Sequence, residues 1–362
     1  MADKKKILLV DDSALMRRVL CDIIESDERF TIEDRATNGL EAFDLLTRKQ
    51  YDGVVLDINM PKMNGIELLK ELRKCKIPAR IMMASTDTRD GAQITLDCLE
   101  LGATDFVHKP EFAFDANKGD FKEHFLQTLA AVVSSRLPVF DSKPLVNLSE
   151  EKEKTRKVVA LVKKHGTGNG GNQLVAIASS TGGPKALQSV VPRLPQKLNA
   201  PVVIVQHMPV GFTKSLADRL NELSELSVRE ADEGDVLEPG TVYISKGGAH
   251  LNIVQKGGQH VIHYTDEPAR EGVKPCANYM FESLQVSGYD RIECVVLTGM
   301  GADGTKGIVS LSERKKIHVI AQEESTCAVY GMPKNIVASG KADQVVGLEQ
   351  IADEIIMNVG VR

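Results

Sequence analysis

Ser179-Ser180-Thr181-Gly182-Gly183-Pro184 is the stretch on which the reading of this chain turns. Ahead of it runs Leu174-Val175-Ala176-Ile177-Ala178, an unbroken apolar segment of the kind that forms a fully buried parallel strand. Behind it, Pro184-Lys185-Ala186-Leu187-Gln188-Ser189-Val190-Val191 predicts a helix opened by proline near its first position. Small hydroxyl residues and two glycines thus occupy a strand-to-helix turn. Such a turn exposes a hydroxyl above the carboxyl end of a sheet and points free backbone N–H groups at whatever lies there. Three readings stand at this point: a nucleophilic serine, a phosphate cradle, or an ordinary βα turn that needs glycine for its φ angles.

The pattern recurs twice further on. Pro201-Val202-Val203-Ile204-Val205 ends in Gln206-His207-Met208-Pro209, and Gly211-Phe212-Thr213-Lys214 then opens a helix. Cys294-Val295-Val296-Leu297 runs into Thr298-Gly299-Met300-Gly301-Ala302-Asp303-Gly304. Alone, His207 reads as a structural histidine and Asp303 as a helix cap. Together with Ser180 they place serine, histidine and aspartate in strand-end loops of one sheet, and that coincidence favours chemistry. The roles follow from residue type. Ser180 Oγ attacks an acyl carbon, His207 takes its proton and returns it to the leaving alcohol, and Asp303 orients and charge-stabilises the imidazole. The chain order Ser, His, Asp differs from those of chymotrypsin, subtilisin and the α/β-hydrolases. The glycines around Met300 leave its N–H free to meet an oxyanion, an interaction worth ~3 kcal/mol of barrier.

The amino-terminal half alternates strand and helix signals, which predicts a parallel α/β domain. Ile7-Leu8-Leu9-Val10 ends in Asp11-Asp12, Val54-Val55-Leu56 in Asp57, Arg80-Ile81-Met82-Met83-Ala84 in Ser85-Thr86, and Asp105-Phe106-Val107-His108 in Lys109-Pro110. The carboxyl edge of an open α/β sheet is where ligands bind. Carboxylates gathered there repel one another unless a cation sits among them, and oxygen donors of this kind suit Mg²⁺. The alternative for Asp11 or Asp12 is capping of the following helix.

The chain has 362 residues, 42% of them hydrophobic and 26% charged, with net charge −5. That is room for two soluble globular domains, and no basic surface advertises nucleic acid or an anionic membrane. The amino terminus enters a short apolar strand, too short for a signal sequence, and no apolar run reaches membrane-spanning length, so no membrane insertion is expected. The cysteines at 21, 75, 98, 276, 294 and 327 are scattered without a C-x-x-C pair. Neither a zinc site nor a disulfide framework is indicated, which predicts a cytoplasmic protein with reduced thiols. Nucleotide binding lacks both G-x-x-x-x-G-K-[ST] and a clean G-x-G-x-x-G. Between residues 141 and 172 the pattern loosens. Ser149 is a plausible N-cap, residues 155–164 have helical spacing, and Gly166 to Asn172 form a glycine-rich tract, predicting a linker that is partly helical and then flexible.

Leu8-Leu9-Val10-Asp11-Asp12-Ser13, Leu56-Asp57-Ile58-Asn59-Met60-Pro61, Met63-Asn64-Gly65 and Lys109-Pro110 resemble the receiver domain of two-component response regulators. The resemblance implies a flavodoxin-like (βα)5 fold over residues 1–140, with Asp57 as phosphoacceptor and Mg²⁺ held by Asp11, Asp12, Asp57 and the Asn59 carbonyl. It also implies Ser85 as the switch hydroxyl, with Thr86 as the other choice, and Lys109 as partner of the acyl phosphate. Asn64 stands where aspartate is common. Ala178 to Pro184, Gln206 to Pro209, Leu297 to Gly304, Ala321-Gln322-Glu323 and Tyr330-Gly331-Met332-Pro333 resemble the chemotaxis receptor methylesterases, the CheB family. That implies a Rossmann-like α/β esterase domain over residues 173–362. The implied activity is hydrolysis of glutamate γ-methyl esters on the cytoplasmic helices of methyl-accepting chemoreceptors, releasing methanol. Deamidation of receptor glutamines by the same acyl-enzyme route is a further implied activity. The carried-over roles are Ser180 as nucleophile, His207 as base, Asp303 as its orienter, and Met300 and Thr181 at the oxyanion, with no cofactor for this reaction. A chemotaxis histidine kinase is the implied phosphodonor, and phosphorylation of Asp57 is expected to release an inhibited cleft. Three departures stand out. Ser179 replaces a usual glycine, Ser245-Lys246-Gly247 replaces Ala-Pro-Gly, and Lys274-Pro275-Cys276-Ala277-Asn278 replaces Arg-Pro-Ser-Val-Asp.

Overall fold

Apolar runs punctuated by helices become two separate parallel sheets in the computed structural model, which describes residues 3–85, 89–110, 119–138, 148–165 and 171–362. Thr86 and the join from 139 to 147 lie outside these residues. The chain divides into two units, Met1–Ser142 and Lys143–Arg362, each with its own hydrophobic core.

The first unit contains β1 (Lys5–Val10), α1 (Ala14–Glu25), β2 (Phe30–Ala36), α2 (Gly39–Arg48) and β3 (Gly53–Asp57). It continues with α3 (Gly65–Lys74), β4 (Ile81–Ser85), α4 (Arg89–Leu101), β5 (Asp105–His108) and α5 (Gly119–Ser134). All strand pairs are parallel, in the order β2-β1-β3-β4-β5. Ile7, Leu9, Val55, Met82 and Val107 pack on Leu20, Ile24, Phe125 and Leu129. β2 carries Glu33, Asp34 and Arg35, charges tolerated because it is an edge strand. The order reverses between β1 and β3, so Asp11 and Asp57 flank the switch point where such sheets bind ligands. The helix after β1 is capped by Ser13, whose hydroxyl accepts the Met16 N–H at 3.3 Å, which frees Asp11 and Asp12 from that duty. Asn64 forms a capping box with Glu67 at the start of α3.

The second unit opens with α6 (Leu148–His165), then β6 (Gln173–Ser179), α7 (Gly183–Val190), β7 (Val202–Gln206), α8 (Phe212–Leu223), β8 (Ser227–Glu230) and β9 (Thr241–Ile244). After β10 (His250–Lys256) and β11 (Gln259–Thr265) come α9 (Ala277–Ser283), β12 (Arg291–Val296), α10 (Thr305–Ser312) and β13 (Ile317–Gln322). The chain ends with α11 (Met332–Ala338), β14 (Gln344–Val346) and α12 (Leu348–Val359). Seven parallel strands run in the order β14-β13-β12-β6-β7-β9-β8, while β10 and β11 form a separate antiparallel hairpin. The switch point lies between β6 and β12, whose carboxyl ends carry Ser180 and Asp303, with the His207 loop next door after β7.

The expected linker is only partly one. α6 packs on the second unit, where the Thr155 hydroxyl donates to Asp353 at 2.9 Å and the Lys152 ammonium to the Leu223 carbonyl at 3.0 Å. Arg193, 3% exposed, donates to the Thr155 hydroxyl at 3.0 Å and ion-pairs with Asp353 at 2.8 Å. Helix start Leu148 precedes the expected cap Ser149 by one residue, and residues 166–170 lie outside the description.

Arg193 is buried and Asp353 partly so, and removing the carboxylate leaves the guanidinium charge uncompensated. Asp353→Ala is therefore expected to lower the urea midpoint of the second unit's unfolding without changing its denaturant slope; an unchanged midpoint would show that α6 docking contributes nothing.

Candidate active site

Ser180 follows the last residue of β6 and is half-buried. Its N–H donates to the Thr298 carbonyl at 3.0 Å, tying the ends of β6 and β12 together. Its carbonyl accepts from the Gly183 N–H at 2.7 Å and from Gln206 Nε2 at 3.0 Å. The turn depends on its glycines: Gly182 has φ +76°, and a Cβ there would stand 2.5 Å from that of Ala328. At Gly299 a Cβ would overlap Met332 Sδ and lie 2.7 Å from Ser180 Cβ. Ser179, the residue out of keeping with the family pattern, is fully buried and donates its hydroxyl to Gln206 Oε1 at 2.7 Å. The same glutamine amide donates to the carbonyls of Ser180 and His207, each at 3.0 Å. One buried side chain thereby fixes both loops. Gln322 does the equivalent on the other side, accepting the Thr298 N–H at 2.8 Å.

His207 Nε2 lies 2.8 Å from Asp303 Oδ2. Asp303 is 3% exposed. Its Oδ1 accepts from the Cys276 thiol at 3.0 Å and from the N–H groups of Asn278 at 2.9 Å and Gly304 at 2.8 Å. Its Oδ2 accepts the Ala277 N–H at 2.6 Å besides facing His207. Burial is the largest influence on this carboxyl and would raise its pKa, but His207, the Cys276 thiol and the Ala277 N–H together outweigh it and hold it down at about 2. The helix capped in this way is α9, not the one that follows Asp303 in sequence. A carboxylate ionised at neutral pH only accepts, so His207 Nε2 must carry a proton, and Nδ1 is the nitrogen left to act as base. Among the described residues, Ser180 and His207 make no direct side-chain hydrogen bond; Gln206 and the His207 N–H to Ser179 carbonyl bond, 3.1 Å, hold them side by side. The N–H groups of Met300 and Thr181 have no protein acceptor among the described residues, and the Met300 side chain is 40% exposed.

In the first unit, Lys109 Nζ lies 2.7 Å from Asp57 Oδ1 and 3.1 Å from Asp11 Oδ2, all three being buried. Oxygen atoms of Asp11, Asp12 and Asp57 come within 4.8 Å of one another, a hard donor set that fits Mg²⁺. Burial raises the Asp57 pKa most; Lys109 pulls it back and Asp11 pushes it up again. Ser85 is buried at the end of β4, its carbonyl accepting the Lys109 N–H at 2.6 Å, and Asn59 is exposed two residues past Asp57. No helix among the described residues is long and apolar enough to cross a membrane. The contributions of Ser179, Gln206, Gln322 and Cys276 escape sequence reading, since each is a side-chain contact between loops.

The sheets, switch points and strand-end residues define a receiver-type unit joined to a second parallel α/β unit with the makings of an ester hydrolase. The response regulator receiver domain profile matches residues 7–116, and the CheB methylesterase profile matches residues 175–355. A protein-glutamate methylesterase/protein-glutamine glutaminase of Pyrococcus abyssi is 39% identical over 359 residues, 98% of this chain and 94% of that one. Its counterpart in Bacillus subtilis is 38% identical over 354 residues, 97% of each chain. The Thermotoga maritima CheB methylesterase catalytic domain is 40% identical, covering 51% of this chain and 97% of that one with a TM-score of 0.49. The chain belongs to the CheB methylesterase family, and it is an ester hydrolase of the two-component type.

Because the folded Asp303 is a stronger acid than the unfolded one, its contribution to stability is fully present above about pH 4 and fades as pH falls towards about 2. At pH 7 it amounts to about 2 kcal/mol. The difference in urea midpoint between wild type and Asp303→Asn should therefore be largest near neutrality and narrow below pH 4; a gap independent of pH would contradict the depressed pKa.

Proposed function

We propose that this protein hydrolyses glutamate γ-methyl esters on methyl-accepting chemoreceptors in the cytoplasm, releasing methanol, and deamidates receptor glutamines by the same route. The observation that carries the proposal is the His207–Asp303 pair beside Ser180 at the switch point of the second sheet. Ser180 Oγ attacks the ester carbon while His207 Nδ1 takes its proton. Asp303 holds the imidazole by Nε2–H and stabilises the imidazolium that forms. The N–H groups of Met300 and Thr181 meet the oxyanion. Collapse breaks the bond to the methoxy oxygen, which leaves as methanol with the proton from His207, and Ser180 carries the glutamyl ester. Water, deprotonated by His207, then attacks that ester and frees glutamate and Ser180. With a glutamine side chain the first leaving group is ammonia.

The receiver supplies control. Asp57 would accept a phosphoryl group from a chemotaxis histidine kinase, and Asp11, Asp12, Asp57 and the Asn59 carbonyl would hold Mg²⁺, which neutralises charge on that group during transfer. Lys109, already paired with Asp57, would follow the phosphoryl oxygens, and Ser85 would bind them afterwards. The division into a receiver over 1–140, a connecting stretch over 141–172 and an esterase over 173–362 belongs to the same proposal.

Methanol release from methylated receptor membranes is the direct test, comparing wild type, Ser180→Ala and Asp57→Asn with and without a small-molecule phosphodonor and Mg²⁺. Release should vanish in Ser180→Ala, rise with phosphodonor in wild type, and stay at its basal rate in Asp57→Asn. Release that persists in Ser180→Ala would remove the nucleophile. A Ser180-dependent rate indifferent to phosphodonor would leave the esterase and remove the proposed control.

A further inference from the structure

One buried side chain touches the Asp303 carboxylate without a role in the chemistry above. Cys276 is fully buried at the N-cap of α9, with Sγ 3.0 Å from Asp303 Oδ1. Burial pushes the thiol pKa up and the Asp303 charge pushes it further, so the sulfur keeps its proton and donates. The residue is held from behind: its N–H donates to His250 Nδ1 at 3.2 Å. His250 is itself fully buried, which lowers its pKa and keeps the ring neutral, with Nε2–H placed for the Pro268 carbonyl at 3.2 Å. The ring lies 4.4 Å from that of Tyr279, and the Arg270 guanidinium, paired with Glu282 at 2.8 Å, lies over the Tyr279 ring at 5.3 Å. Cys276 therefore cannot drift away from the carboxylate without disturbing the β10 end and α9 together.

The distribution of donors shows what the thiol does. Oδ1 takes three, from Cys276, Asn278 and Gly304, whereas Oδ2 takes only the Ala277 N–H before His207 arrives. The thiol is the one side-chain donor on Oδ1, lying there beside two backbone N–H groups, and Oδ2 is left as the oxygen with room for the imidazole. We infer that Cys276 is a positioning residue, whose thiol fills the far side of Asp303 so that the carboxylate faces His207 in a single orientation. The inference rests on the proposed Ser180–His207–Asp303 chemistry. Serine, usual at this place in the family pattern, offers the same donation through oxygen; alanine and valine offer none.

The test measures kcat and KM for methanol release from methylated receptor membranes with the full-length protein and its Cys276→Ala, Cys276→Val, Cys276→Ser and Ser180→Ala variants. Loss of one donor to a charged acceptor is expected to lower kcat about tenfold in Cys276→Ala, with KM within about twofold of wild type. Cys276→Val, which fills the space without donating, should show the same loss, so either donor-free variant suffices if the other fails to fold. Cys276→Ser should return kcat to within about twofold of wild type. A donor-free variant that folds and keeps the wild-type kcat would overturn the inference, as would a serine variant as slow as alanine, which would mean that volume rather than donation matters. Methanol release surviving in Ser180→Ala would instead overturn the triad reading on which it rests.

Discussion

A carboxylate at the depth of Asp303 costs several kcal/mol in lost hydration unless donors replace the water. Five groups do so, drawn from the His207 loop, the amino end of α9 and the turn after β12. Bringing them together dictates much of the second unit. The start of α9 must abut the end of β12, and α10 must approach α9 closely. Gly304 and Gly307 allow this, since a Cβ at 304 would stand 3.2 Å from the Phe281 ring and one at 307 would stand 2.8 Å from the Asn278 carbonyl. The β10–β11 hairpin, an interruption in an otherwise parallel architecture, supplies His250 to seat Cys276. From the ionised carboxylate follows a proton on His207 Nε2, and the base in the proposed chemistry is then Nδ1.

The two units use the same position in the fold for opposite electrostatic purposes. Asp57 and Asp303 are both buried aspartates at strand carboxyl ends, yet burial wins at Asp57 and raises its pKa, whereas donors win at Asp303 and lower it. The difference is in the neighbours. Asp57 shares its site with Asp11 and has one lysine between the two, a deficit of positive charge that a divalent cation would remove. Asp303 has no carboxylate neighbour in its donor set and receives three backbone N–H groups, fixed dipoles that serve only the charged form. The first arrangement gains from binding a cation; in the second the carboxylate is met by the imidazole and by backbone dipoles.

Apolar runs that stop abruptly at polar residues are what made this architecture legible. β1, β3, β4, β5, β6, β7 and β12 all announce themselves so, and Asp11, Asp57, Ser180, His207 and Asp303 lie at those stops or in the loops that follow them. β2 did not, because Glu33, Asp34 and Arg35 are permitted on an edge exposed to water. β10 and β11 carry polar residues for a similar reason, forming a two-stranded hairpin outside the parallel sheet. α6 reads in the sequence as the helical part of a linker, since its docking depends on Thr155, Arg193 and Asp353, which are distant in sequence. Within the site, Thr298 bonds the Thr181 carbonyl across 117 residues. Gln206, Gln322 and Cys276 act through contacts of that kind, and no spacing rule reveals a contact between loops.

The departures from the methylesterase pattern take their meaning from this network. Several of the replacement side chains are engaged by the protein itself. Ser179 is spent on Gln206, and Asn278 accepts the Gly307 N–H at 2.7 Å. Lys246 pairs with Asp232 at 2.6 Å while its N–H reaches the Tyr264 hydroxyl at 2.9 Å. Gly247, the one residue of that stretch kept from the pattern, is the one with no room for a side chain, because a Cβ there would meet the Pro209 carbonyl beside the His207 loop. What has been exchanged is the internal fastening of three loops, each by groups able to donate or accept where the backbone requires it. Ser180, His207 and Asp303 are held in place by these contacts, among them Ser179 to Gln206 and Cys276 to Asp303, so the residues that fasten such a set can change while the set itself stays.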